Sequence, residues 1–193
     1  MQTSNLPIRW EIYNSAASAG TTMYAACCSV QSEGGVEPDK GFYYSASTPS
    51  EIALDVNRKV VLAIRPTSGY NGRINRVQIQ PQNVVTLGGL NPLIIETWYN
   101  PTLAGGAWTS ANPYSAVEWG TGQTVSDLGT KISTIFVGSS NANQGADSAT
   151  FSSRRFPICL DISGYNPIPL AVTARSTNSN SSCWSEIEWS ELS

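Results

Sequence analysis

No histidine occurs among the 193 residues of this chain, and that gap removes more chemistry than any motif adds. Without imidazole, neither a Ser-His-Asp nor a Cys-His nucleophile system can be assembled, and the commonest catalytic zinc sets lose their preferred ligand. Charge is scarce too. Only 13% of residues are charged, while Gly, Pro, Ser, Thr and Asn are plentiful, which is the makeup of many short strands joined by turns. No apolar run is long enough to be read as a membrane-spanning helix. The opening MQTSNLPIRW lacks the charged head and apolar core of a secretory signal, so the expectation is a soluble protein made in a cytoplasm.

Cysteine is limited to Cys27, Cys28, Cys159 and Cys183, with no C-x-x-C spacing. On a strand, adjacent Cys27 and Cys28 point to opposite faces and would not chelate one metal together. Buried free thiols are expected, with a bridge such as Cys28 to Cys159 as the alternative. No G-x-G-x-x-G, P-loop or EF-hand spacing is present, so neither cofactor nor metal is expected. A net charge of −3 disfavours nucleic acid as a partner, because phosphate binding needs a dense positive surface. The charge is nonetheless uneven: Val56 to Ile95 holds Arg58, Lys59, Arg65, Arg73 and Arg76 and no acid. Either this is a basic face for an acidic partner, or the arginines pair with carboxylates of other strands or of a neighbouring subunit.

What is present in quantity is aromatic: six Trp and eight Tyr spread along the chain, enough apolar surface to drive folding. The stretch from Phe156 to Arg175 holds an apolar run, the turn Ser163-Gly164-Tyr165-Asn166, and a run in which Ile168, Leu170 and Val172 alternate with Pro169, Ala171 and Thr173. This is a strand, turn, strand pattern. The tetrapeptide recurs as Ser68-Gly69-Tyr70-Asn71, again between apolar runs, and Ile8 to Asn14 (IRWEIYN) echoes Ile94 to Asn100 (IIETWYN). The echoes indicate a degenerate internal duplication with a seam near Gly88-Gly89, giving pseudo-halves 1–88 and 89–193 of one domain, 1–193.

Further strands are expected at 21–30, from Phe42, at 60–65, 74–80, 83–87, 93–99, 116–119, 131–137 and 183–191, with Pro66 and Pro81 marking strand ends or edges. In the last, Cys183, Ile187 and Trp189 share one face and Trp184, Glu186 and Glu188 the other. Thr48-Pro49-Ser50-Glu51 has capping-box spacing and predicts a single helical turn. Ser139 to Ser153, small and polar, reads as a long exposed loop or an arm. The resulting fold class is all-β: an antiparallel β-sandwich or jelly-roll-like pair of sheets.

One catalytic chemistry survives the lack of histidine. Glycoside hydrolysis needs two carboxylates, and Glu96, Glu118, Glu186 and Glu188 each lie close to a Trp. A non-catalytic sugar platform of Trp108, Trp119 or Trp184 is the more economical reading, with core or interface packing as the alternative for each ring.

The runs VLAIRPTSGYNGRINRVQIQP (61–81), YNPTLAGGAWTSANPYSAVEWGTG (99–122) and PICLDISGYNPIPLAVTARSTNSNSSCWSEIEW (157–189) resemble structural proteins of tailed bacteriophages. The resemblance covers Val60 to the end. It implies a non-enzymatic all-β module on the virion surface, homo-oligomeric and often trimeric. The leading role is a tail-fibre, receptor-binding or attachment component; a capsid decoration protein is the alternative and a carbohydrate-binding module a further one. Implied partners are copies of itself, other virion proteins and a host-surface glycan. Candidate partner contacts are Arg65, Arg73, Arg76, Trp108 and Trp119, together with Asn141 and Asn143 in the exposed loop.

Overall fold

The computed structural model describes residues 42–75, 77–139, 146–150, 158–161 and 163–192, all within the compact unit Pro38–Ser193. The segment Ile8 to Asn14 and the strand expected at 21–30, with Cys27 and Cys28, lie outside the described residues. Along the chain run β1 (Phe42–Ser47), β2 (Ile52–Leu54), β3 (Lys59–Pro66), β4 (Gly69–Tyr70), β5 (Arg73–Ile74), β6 (Gln78–Gly88), β7 (Leu93–Tyr99) and β8 (Thr102–Ala104). They are followed by β9 (Ala107–Ser110), β10 (Val117–Thr121), β11 (Thr124–Asp127), β12 (Thr130–Val137), β13 (Ala146–Thr150), β14 (Leu170–Ser176) and β15 (Ser181–Leu192). The described residues contain no helix, and every strand pair is antiparallel.

Two sheets carry the structure. One runs β1-β15-β6-β13, with β2 also on β15; the other runs β12-β7-β14-β3-β10-β9. Their inner faces interdigitate: Ile79, Val84, Ile187 and Trp189 of the first join Leu62, Ile64, Ile95, Val117, Leu170 and Val172 of the second in one buried cluster. This is the β-sandwich that the alternation predicts. The central strands β3 and β14 are buried on both faces. On the outside, Val60, Ala63 and Ala171 are covered by Leu103 and Val125 from the β8–β11 ribbon and by Trp108. Cys159 and Cys183 are free thiols. The seam at Gly88 falls where the chain crosses between sheets, and each sheet draws strands from both pseudo-halves.

Three local expectations are corrected. The predicted helical turn at 48–54 is instead a strand approach. The Thr48 amide donates to the Ser185 carbonyl at 2.9 Å, the Ser185 amide donates to the Thr48 hydroxyl at 3.2 Å, and β2 then pairs with Ser181–Cys183. The threonine that would cap a helix extends a ladder. Within the predicted loop 139–153, Ala146–Thr150 forms β13 against Asn83–Leu87; backbone pairing with an open sheet edge needs no apolar side chain. Pro66 does end β3, but Pro81 lies inside β6. It sits opposite the register shift at Glu188/Trp189, and on its other side falls between β13 and the Ile79–Ile158 bridge, where no ladder asks for its missing N–H.

The repeated tetrapeptide adopts two conformations. After Tyr70, Asn71 and Gly72 both have positive φ, 51° and 74°, which makes the two-residue hairpin between β4 and β5. In the second copy only Gly164 is left-handed, at 78°. There the Asp161 carboxylate organises the loop, accepting from the Ser163 hydroxyl and the Asn166 side chain, both at 2.6 Å, and from the Tyr165 and Asn166 amides. Those bonds, the Ser163 hydroxyl foremost, hold its carboxyl well below the usual range. A glycine after Asn71 and a proline after Asn166 decide between the two.

Trp189 is fully buried and its Nε1 donates to Glu191, so Trp189→Ala is expected to cost about 3–5 kcal/mol in urea unfolding, against about 0.5 kcal/mol or less for the exposed Phe136→Ala. Burial pushes the Cys183 thiol up to about 12. Peptide mapping after iodoacetamide treatment in mild alkali is expected to find Cys183 unmodified in the native protein and labelled in denaturant.

Candidate functional site

The outer face of the six-stranded sheet carries three of the charged residues that the sequence singles out, Arg65, Glu96 and Glu118. Arg65 on β3 is cross-strand from Glu118 on β10, and its Nε donates to that carboxylate at 2.5 Å. Its guanidinium lies 4.0 Å from the centre of the Trp108 ring on β9. Arg65 and Trp108 therefore do come together, as a stacked and ion-paired unit that occupies both. Trp119 packs against the core, since its position opposite Ile64 turns it inward. Arg73 pairs across the hairpin with Tyr70, but its side chain lies outside the described residues, as do Arg76, Asn141 and Asn143.

Two strands away, Glu96 of β7 is buried and bound by two cations. Arg58 reaches it at 2.7 Å and Lys131 at 3.2 Å. Both cations also flank the Trp98 ring, at 5.4 and 5.7 Å from its centre, and the Trp98 indole donates to the Thr173 hydroxyl at 3.0 Å. Of the carboxylates considered for glycoside hydrolysis, Glu96 and Glu118 thus each sit in an ion pair, while Glu186 and Glu188 lie half-exposed on the outside of β15. Among the described residues no cluster of His, Cys, Asp and Glu could hold a metal ion. The cleft of about 510 Å³ beside the β8–β11 ribbon is lined by Arg58 and Lys59, and both are already paired, with Glu96 and Asp55.

The opposite situation holds at one end of the sandwich. Phe42 and Tyr44 on the inward side of β1, Tyr70 from the β4–β5 hairpin and Tyr114 from the loop before β10 wall a pocket of about 400 Å³ with Glu191 of β15 in its lining. Glu191 is only 4% exposed. It accepts from the Ser115 hydroxyl, from the Ala116 amide at 2.9 Å and from the Trp189 indole at 3.0 Å, which ties the last residues of β15 to the start of β10. The Tyr44 and Tyr70 hydroxyls both donate to the Tyr114 carbonyl, at 3.0 and 2.8 Å. Burial, then Glu191 and Tyr70, push the Tyr44 hydroxyl up.

The chain matches no protein-family model and no curated protein. The site thus stands on its own geometry. Sequence reasoning missed this pocket because its walls come from four segments far apart in the chain. One signal was available: Glu191 continues the face of Cys183, Ser185, Ile187 and Trp189, the one acid in a register that is otherwise apolar or small.

Burial alone would raise the Glu96 carboxyl, but hydrogen bonds from Arg58 and Lys131 outweigh it and leave it below its ordinary 4.5. A carboxylate depressed on folding stabilises the native state above its unfolded value and loses that contribution as pH falls through the folded one. Melting followed by circular dichroism from neutral pH to about pH 3 is expected to show Glu96→Gln less stable than wild type at neutrality and converging on it in acid.

Proposed function

We propose that this chain is a non-enzymatic assembly and attachment module on the outer surface of a tailed-phage particle, working as a homo-oligomer. The observation that carries the reading is an apolar strip outside a sandwich whose interior is already filled. Trp184, 42% exposed, is cross-strand from Leu87, with Val85 beside it on the same face of β6. Leu90 stands close by, 73% exposed. None of these side chains contributes to the core cluster. Covering them with a second copy would remove apolar surface from water at roughly 25 cal/mol per Å², and a contiguous strip of this kind is what a contact surface requires.

The resemblance of Val60 to the end to tailed-phage structural proteins supplies the setting: the neighbours are copies of the chain, in a trimer, and other virion proteins. Tail attachment is the leading role, with capsid decoration as the alternative. The histidine-free composition fits recognition rather than turnover. A carbohydrate-binding module is the second reading, favoured by the exposed Trp184 ring beside Glu186, since such rings stack on sugars.

Light scattering of the purified chain at two concentrations is expected to give three times the 20.7 kDa of one chain, and Trp184→Asp is expected to give monomers with a native circular-dichroism spectrum whose melting, unlike that of wild type, does not depend on concentration. A wild-type monomer that binds glycans through Trp184 would replace this reading with the second.

A further inference from the structure

The hydrogen-bond inventory of the end pocket identifies what it lacks. The protons of Tyr44 and Tyr70 are both committed to the Tyr114 carbonyl, so each phenol oxygen has only lone pairs left to offer. Glu191 is an acceptor only. Among the described residues its Oε1 takes two donors, Ser115 and Trp189, whereas Oε2 takes one, the Ala116 amide, and so keeps an acceptor position to spare. Among the described residues no lysine or arginine pairs with this buried carboxylate. Among those residues its charge is met by three neutral donors. The described residues that line the pocket therefore present aromatic surface and unfilled acceptors, with the Asn71 amide as a side-chain donor not already committed.

We propose that this pocket binds an organic ammonium ion, with the tyrosine rings around its alkyl portion and Glu191 and the phenol oxygens receiving its N–H groups. An anion is repelled by Glu191. A neutral apolar guest leaves that carboxylate uncompensated. A sugar hydroxyl brings a donor but also needs one, and the phenol protons are already used. An alkylammonium brings three donors and no acceptor, its charge is attracted to ring faces, and its bond to a carboxylate is the stronger, charge-assisted kind. About 400 Å³ is within the size range of small-ligand sites. The inference does not depend on the chain being a virion protein. The ammonium group would come from a free amine or from a lysine side chain of a bound protein.

The test is calorimetry on the full chain with n-butylammonium chloride and, as its neutral counterpart of equal length, n-butanol. Saturable butylammonium binding about tenfold or more tighter than butanol is expected. Tyr70→Leu, on the exposed hairpin and checked for an unchanged melting temperature, is expected to abolish it, and Glu191→Gln to weaken it by a similar factor wherever near-ultraviolet circular dichroism shows a native core. With binding established, tighter binding of Nα-acetyl-lysine methylamide than of butylammonium assigns the site to a lysine side chain, and the reverse to a free amine. Equal affinity for butanol, no saturable butylammonium binding, binding indifferent to Tyr70→Leu, or methyl glucoside binding in its place would each overturn the proposal.

Discussion

β15 hydrogen-bonds along both edges at once, to β6 on one side and to β1 and β2 on the other. Among the described residues, the five-stranded sheet has no centre without it, because β1 and β2 pair with no other strand of that sheet and β6 keeps β13. The same strand carries Cys183, Ile187 and Trp189 into the core. It also delivers Glu191 to the far sheet, where the carboxylate holds the Ser115 hydroxyl and the Ala116 amide. The two layers are therefore joined by apolar contact along their length and by a polar clasp at one end.

The two buried glutamates are handled differently, and the difference separates scaffold from site. Glu96 is surrounded by Arg58 and Lys131, with Trp98 between them. Its charge is cancelled and its surroundings are complete. Glu191 is held by hydroxyl, amide and indole donors, which orient a carboxylate without neutralising it. Burying charge in this way is costly unless something compensates it, and the aromatic walls leave space for that something. Arg65, which the sequence offers either to a partner or to a carboxylate of another strand, has its Nε on Glu118 and its guanidinium plane against Trp108.

Period-2 alternation made the all-β class, the sandwich and most strand positions legible, because it records which side chains meet the core. What was not legible depends on pairing partners. β13 is small and polar and is a strand only because β6 has an edge to offer. Thr48 has the chemistry of a helix cap and uses it on a ladder. The Ser-Gly-Tyr-Asn repeat looks like one structural unit, yet Gly72 makes the first copy a hairpin while Asp161 shapes the second into a loop. Arg65 and Trp108 were each singled out in sequence, but that they stack on one another follows from the pairing of β3, β10 and β9. The end pocket was not, since nothing local in Tyr44, Tyr70 and Tyr114 indicates that the fold brings them together.

The central place of β15 has a consequence for how the protein is made. Its partners β1, β2 and β6 all precede it by about a hundred residues or more in chain order, so a ribosome delivers each of them long before the strand they share. Until β15 emerges, β1 and β2 lack the strand that pairs with them in the described sheet and the matching edge of β6 stands open, a template for neighbouring nascent chains. Closure of the five-stranded sheet must wait for contacts of very long sequence separation, which makes for slow, late-committing folding. The interval before β15 arrives is when this chain is most exposed to wrong partners.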